Sequence, residues 1–349
     1  MHSHSTQDVF VNLGGQDDNL GDSVLRAAYF EAARGEGRSF HVLLEGRSSD
    51  YVTGLPLDPA DTIYTTRAAW VRASTEATRP VHLFEAGEIN PRSAVYPAES
   101  RSAPLRHAID SGGAVIVAGL GLKTPAQSSP SQFDQVLRDA AVVSWRDAGS
   151  RDAAGFGGVA PDWAFSYGPH TTEWSNPDSR PLLAVTLRFD RPWPDDSWLE
   201  AVRALAAQTS TRVVTVAQVA RDAPRAVRVA EALGGEYLIA PSTRHSDLDA
   251  HVRSVFGQSL AIISDRAHGL IIGATEGAYP IGSAADPQKI SRLLAAAGLS
   301  DLVGSYDQLA EFGTALESKL PGLAPAIDSA RSEVADLGAR IQTAMRAVA

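Results

Sequence analysis

The 349-residue sequence has no cysteine. That excludes a disulfide framework, a thiolate metal site and a cysteine nucleophile, and it leaves the compartment open. Positive charge is in deficit: 31 Lys and Arg face 41 Asp and Glu, for a formal net charge of -10. The broad basic footprint that phosphate-backbone recognition requires is therefore missing, and no nucleic-acid partner is expected. Long apolar runs are missing too. No segment supplies the roughly eighteen apolar residues of a membrane span, and MHSHSTQDVFVNLGG has neither a basic start nor an apolar leader core, so a cytoplasmic chain is expected. His2 and His4 precede the first strand and fit a tail better than a metal site; no other ligand cluster suggests a metal.

At 44% hydrophobic, the chain can bury a core in each of two ordinary domains. Short apolar runs alternate with Ala-rich helical stretches, the pattern of βαβ units building parallel sheets, and the fold class follows as α/β. DVFVNL, FHVLLEG, AVIVAG and AVVSW read as strands in the first half; LLAVTLR, TRVVTVA, EYLIA and LAIISD do so in the second. Between them VAPDWAFSYGPHTTEWSNPDSRP has no sustained period and reads as a linker. The expected organisation is a domain over 1–170, a second over 171–305, and a helical segment over 306–349 broken near Pro321-Gly322 and Pro325. Packing or dimerisation is the plain role for that segment, so a homo-oligomer is left open.

Four segments carry residues suited to chemistry. In GGQDDNLGDSV, Gly14, Gly15 and Gly21 precede a helix expected to start near Asp22-Ser23, whose N-terminus would suit an anion. The plain alternative is a turn capped by Asp22 or Ser23, and the spacing matches neither a dinucleotide fingerprint nor a Walker loop. AVIVAGLGLKTP ends a buried strand at Gly119 and Gly121, with Lys123 beyond, on the edge where ligands of open α/β sheets sit. Arg146 follows a strand directly, where its planar guanidinium could grip a carboxylate or phosphate; a surface pair with Asp147 is the plain alternative. The sharpest signal is LAIISDRAHGLIIG. Arg266 and His268 lie two apart at a strand-to-helix junction, combining permanent positive charge with a group that exchanges a proton near neutral pH. Lys289, after the Asp286-Pro287 turn, could return to the same edge as a further cation.

Taken in order, these pieces resemble the polysaccharide pyruvyltransferase family. The matching elements are N-x-G-D at Asn19 to Asp22, the Gly-rich strand end at Gly119 to Gly121, Arg146 to Ser150, Pro161-Asp162, the strand ending at Arg188, and Ser264 to Gly269 followed by Tyr279-Pro280. They span residues 8–290. Leu120 interrupts the glycine run usual in the family, and Asp17-Asp18 is an unusual acidic pair ahead of Asn19.

The resemblance implies two Rossmann-like domains in the GT-B glycosyltransferase architecture, the first on the acceptor side and the second on the donor side. It implies phosphoenolpyruvate as donor, a sugar of a cell-envelope or exopolysaccharide glycan as acceptor, a pyruvate ketal as product, and no cofactor. The acceptor could be nucleotide-linked, lipid-linked or polymeric, and membrane association enters only through a lipid-linked acceptor. Carried over residue by residue, donor binding falls on Arg146, Arg266, His268 and Lys289; His268 is the acid or base, with Asp22 second. Asn19, Gly21, Gly119 and Gly121 form cleft loops. The alternatives are a nucleotide-sugar glycosyltransferase of the same architecture, for which Glu276 is the arguable ribose ligand, and a non-catalytic sugar- or phosphate-binding relative.

Overall fold

The computed structural model of the protein describes residues 6–91 and 95–348; His2 and His4 lie outside them. The first half contributes β1 (Gln7–Asn12), β2 (Arg38–Leu43), β3 (Thr62–Tyr64), β4 (Val81–Phe84), β5 (Gly87–Ile89), β6 (Ala114–Leu122), β7 (Val142–Trp145) and β8 (Gly158–Val159). They form one sheet in the order β3-β2-β1-β4-β6-β7-β8, with β5 also on β6, and every pairing is parallel. All nine residues of β6 are buried. That explains why AVIVAGLGL runs apolar without alternation: a parallel strand covered by helices on both faces has no solvent side.

The second sheet is built from β9 (Leu182–Thr186), β10 (Arg212–Thr215), β11 (Glu236–Tyr237), β12 (Ser259–Ser264), β13 (Tyr279–Ser283) and β14 (Val303–Gly304). Its order is β11-β10-β9-β12-β13-β14, again all parallel. In both sheets the chain winds outward from its first strand, β1 or β9, and then returns to build on the other side. The strand order therefore reverses between β1 and β4 and between β9 and β12, and at such a point the loops leave the carboxyl ends in opposite directions and open a crevice.

The chain divides into two compact units. One comprises the residues through Asp17, Asp22–Trp163 and the stretch from Glu333 on; the other comprises Asp18–Gly21 and Ala164–Ser332. The expected boundary at 170/171 compares with a change of unit at Trp163/Ala164. The segment expected to stand apart from 306 is shared: the helix Leu309–Lys319 belongs to the second unit, and the helix Leu323–Arg346 contributes to both. The break falls at the turn Leu320–Gly322, and Pro325 sits in the first turn of the long helix, where its missing N–H costs no bond.

Within the second unit, Arg331 holds the linker by its backbone, donating to the carbonyls of Pro169 (2.8 Å) and Tyr167 (2.9 Å). Gly168, at φ +102, passes so close that a Cβ there would lie 2.5 Å from the Thr275 carbonyl oxygen. Among the described residues no helix is long and apolar enough to cross a membrane.

Candidate functional site

In the second unit, the carboxyl edge at the β9/β12 reversal gathers most of the residues singled out above. Ser264 ends β12, and its hydroxyl donates to the Thr186 carbonyl (2.8 Å) while accepting from the Arg266 N–H (2.8 Å). That bridge fixes the turn into the helix Ala267–Thr275, whose N-cap is Arg266. The Arg266 fork closes on Asp222, Nε to Oδ2 at 2.6 Å and Nη2 to Oδ1 at 2.8 Å. The side chains are 7% and 1% exposed, and Asp222 also accepts from the Phe189 N–H at 2.9 Å. The cation expected to grip donor is thus charge-matched inside the protein, and only its remaining N–H groups can serve a ligand.

His268 occupies the first turn of the same helix and is half-buried. Its ring packs on Gly21, where a Cβ would overlap His268 Cβ and Nδ1. This explains the glycine: the segment Asp18–Gly21 lies along the β10 end, Leu20 donating to the Gln218 carbonyl (3.2 Å) and Ala220 to that of Asp18 (3.2 Å). The helix expected to begin near Asp22-Ser23 begins at Leu20, and Asn19 Oδ1 accepts from the Gly21 N–H (3.2 Å). Asp22 is therefore a first-turn residue rather than the cap, and its carboxylate accepts from the Gln16 N–H at 2.6 Å.

Lys289 lies on the helix Gln288–Ala295, which follows β13. With Arg188, Arg191, Asp265, Ala284 and Asp286 it lines a pocket of about 50 Å³. Asp265, which stands between the two motif residues Ser264 and Arg266, had no assigned role from sequence. It is 7% exposed; Oδ1 accepts from the Arg188 N–H at 2.7 Å, and Oδ2 is buried with no hydrogen-bond partner. Burial pushes its carboxyl from the ordinary 3.8 up to about 6, against the lowering pull of the Arg188 N–H, Arg266 and Arg188. The Tyr306 hydroxyl is likewise buried without a partner, and burial, then the Asp265 charge, pushes it up to about 12. Arg225 has a buried Nε without a partner while its two terminal nitrogens hold the carbonyls of Arg191 (3.0 Å) and Pro192 (2.5 Å).

Two more buried oxygens without hydrogen-bond partners, Thr186 Oγ1 and Gln218 Oε1, belong to side chains that pack at Gly269 on this edge. Native interiors leave few polar atoms unsatisfied, and such atoms concentrated at a sheet edge mark where a ligand or ordered water completes the bonding. Glu276 is not among them. It ends the helix at the opposite edge, its carboxylate on Arg253 (2.7 Å) and its carbonyl on Arg180, which also bonds the Ser259 carbonyl at the amino end of β12.

The first unit has a polar edge of its own. Arg146 is 2% exposed and donates from Nη1 to Asp162 (3.1 Å), with Glu88 at 4.0 Å from Nη2 and Nε buried without a partner. Gly121 gives it room, since a Cβ there would overlap Arg146 Nε, and Gly119, at φ +93, lies under Trp163. At the β1/β4 reversal a network missed in the sequence joins Asn12, Glu85, Arg101 and Tyr96. Arg26 enters it from the helix bearing Asp22: burial would lower its pKa, but Asp22, Tyr51 and Glu85 outweigh that and raise it. The i, i+4 pair Asp22/Arg26 was the available sequence signal. Lys123 is exposed.

Two parallel sheets of this kind define a protein of the GT-B architecture, with two Rossmann-like α/β domains. No family model matches the chain, and no curated protein matches it. Solved structures do. An O-GlcNAc transferase mutant from Thermobaculum terrenum is 15% identical at a TM-score of 0.54, over 99% of this chain and 69% of that one. A putative UDP-N-acetylglucosamine 2-epimerase from Listeria monocytogenes is 13% identical at 0.54, over 95% and 94% of the two chains. The Anabaena protein HepE in complex with UDP is 11% identical at 0.53, over 97% of each. At these identities the similarity establishes the fold.

Proposed function

We propose that the protein is a glycan-modifying transferase that takes phosphoenolpyruvate as donor and builds a pyruvate ketal on a sugar. The observation that carries this reading is the gathering of Arg188, Arg191 and Lys289 around one pocket at the carboxyl edge of the second sheet, with His268 in the first turn of an adjoining helix. A three-carbon donor with a carboxylate and a phosphate needs fixed cations and amide donors of this kind. In the reaction the enol methylene takes a proton and one sugar hydroxyl adds to the central carbon. Phosphate then leaves with the carbon–oxygen bond electrons, and a second hydroxyl of the same sugar closes the ketal, each hydroxyl giving up its proton. His268 is the group suited to exchange those protons, with Asp22 the second candidate.

A nucleotide-sugar glycosyltransferase is the second reading, favoured by the fold's similarity to HepE, whose structure was solved with UDP. The position of Glu276 at the opposite edge removes the ribose ligand that this reading drew from the sequence. Thermal unfolding with phosphoenolpyruvate or UDP-sugars separates the two, because a ligand bound only by the folded chain raises its melting temperature. A rise with phosphoenolpyruvate that disappears in Lys289→Ala supports pyruvyl transfer. A rise with UDP-sugars and none with phosphoenolpyruvate overturns it.

A further inference from the structure

We infer that a cavity at the amino edge of the second sheet binds an aliphatic ammonium ion, and that a linear polyamine is the class of ligand it takes. The cavity lies at the strand ends opposite the site described above, so its occupancy and the pyruvyl-transfer reading are independent. Its walls are the turn Pro177–Ser179 ahead of β9, the end of the helix Asp196–Gln208 and the last turns of the helix Leu309–Lys319. Its volume is about 420 Å³, and small-molecule sites occupy roughly 300–1,000 Å³.

The lining divides by chemistry. Gly313, Leu316 and Leu320 recur at three and four positions, so one helix face supplies them, and with Leu260 of β12 they form an apolar floor. Asp178 from the turn and Glu317 from the helix line the same cavity; both are exposed, and among the described residues neither carboxylate has a hydrogen bond or an ion pair. The cations nearby in sequence are committed elsewhere. Lys319 holds Asp301 at 2.6 Å. Arg180 lines the cavity too, but its fork is turned into the protein: Nε holds the Ser175 carbonyl (3.1 Å), and Nη1 holds those of Ser259 (3.2 Å) and Glu276 (3.0 Å). Its Nη2 packs on buried Gly277, where a Cβ would overlap it. The helix Asp196–Gln208 adds the negative end of its dipole, with no basic residue in its last turn. An anion is repelled by such a lining, and a hydrated metal ion answers the charge but not the leucines. An ammonium on a methylene chain answers both, its head by charge-assisted hydrogen bonds and its stem by covering apolar surface. Because the two carboxylates come from separate elements, a chain with an ammonium at each end meets both.

Calorimetric titration of the full chain with putrescine, n-butylamine and Mg²⁺ tests this. Putrescine should bind about fivefold tighter than either of the others, the upper worth of one more exposed ion pair. Asp178→Asn and Glu317→Gln should each cut the preference over n-butylamine to about twofold, the advantage of a ligand with two equivalent ends. Since neither carboxylate has a partner in the fold, both variants should melt with the wild type. Asp110→Asn, which removes an exposed acid of the first unit, is the control for general attraction of a dication to a chain of net charge -10, and it should leave the preference unchanged. Putrescine binding no tighter than n-butylamine overturns the inference, as does a preference that survives in both cavity variants or falls equally in Asp110→Asn. Mg²⁺ binding as tightly as putrescine reduces the cavity to two surface acids and overturns it too.

Discussion

Asp265 makes a prediction about stability. Its folded carboxyl titrates at about 6 against an ordinary 3.8, so between those values the folded chain holds a proton that the unfolded chain has lost. The sign follows. The contribution favouring the fold is complete below about pH 4 and is lost as pH rises through 6, where the buried carboxylate must ionise. At about 1.4 kcal/mol per pH unit, the loss amounts to about 3 kcal/mol. Asp265→Asn removes the ionisation while keeping the shape. Its unfolding free energy minus that of the wild type should therefore rise by about 3 kcal/mol between pH 4 and pH 7 and then level off. Chemical denaturation followed by tryptophan fluorescence at half-unit pH steps reads this directly, and subtracting the two curves cancels every other titrating group. A difference that stays flat across that range refutes the argument. A rise also means that the protein keeps a carboxylate there at a cost to its own stability, as binding sites commonly do.

Arg266→Ala strands Asp222 in the interior, so it should lose about 3–5 kcal/mol by denaturation, whereas the double variant Asp222→Leu/Arg266→Met should recover most of that. Gly21→Ala pushes a methyl into the His268 ring and should destabilise by about 1–3 kcal/mol, with the His268 proton resonances shifting in NMR spectra. Gly121→Ala does the same to Arg146, and its cost, again about 1–3 kcal/mol, should shrink when Arg146 is replaced by Met.

The long buried strands were legible because β6, β9 and β12 are apolar runs bounded by glycine, proline or polar turns. β3 and β4 were not. Val81–Phe84 is four buried residues with no alternation to count, and Thr62–Tyr64 is an edge strand too short and too exposed to show a period. At the site, the order of strand end, arginine, histidine and helix was visible, and Lys289 could be brought to that edge from the turn before it. What no spacing reveals is pairing. Asp222 lies forty-four positions before Arg266 and claims its guanidinium, while Tyr306 feels the Asp265 charge from a segment that reads only as helix packing. The start of the first helix was displaced because Asn19 caps it, a role that Asp22 and Ser23 were equally able to fill by composition.

The fastening of the linker by Arg331 bears on how the protein is made. The carbonyls of Tyr167 and Pro169 wait for a side chain more than 160 positions downstream. In the first unit, Ala32 and Gln7 wait for Gln342 and the Met345 carbonyl. During vectorial synthesis neither unit can complete these contacts until the helix Leu323–Arg346 has left the ribosome, since the contacts close over 162 to 338 positions of the chain. Each nascent sheet must therefore persist with an uncovered flank until that helix is translated, and the helix then acts as a latch for segments made long before it.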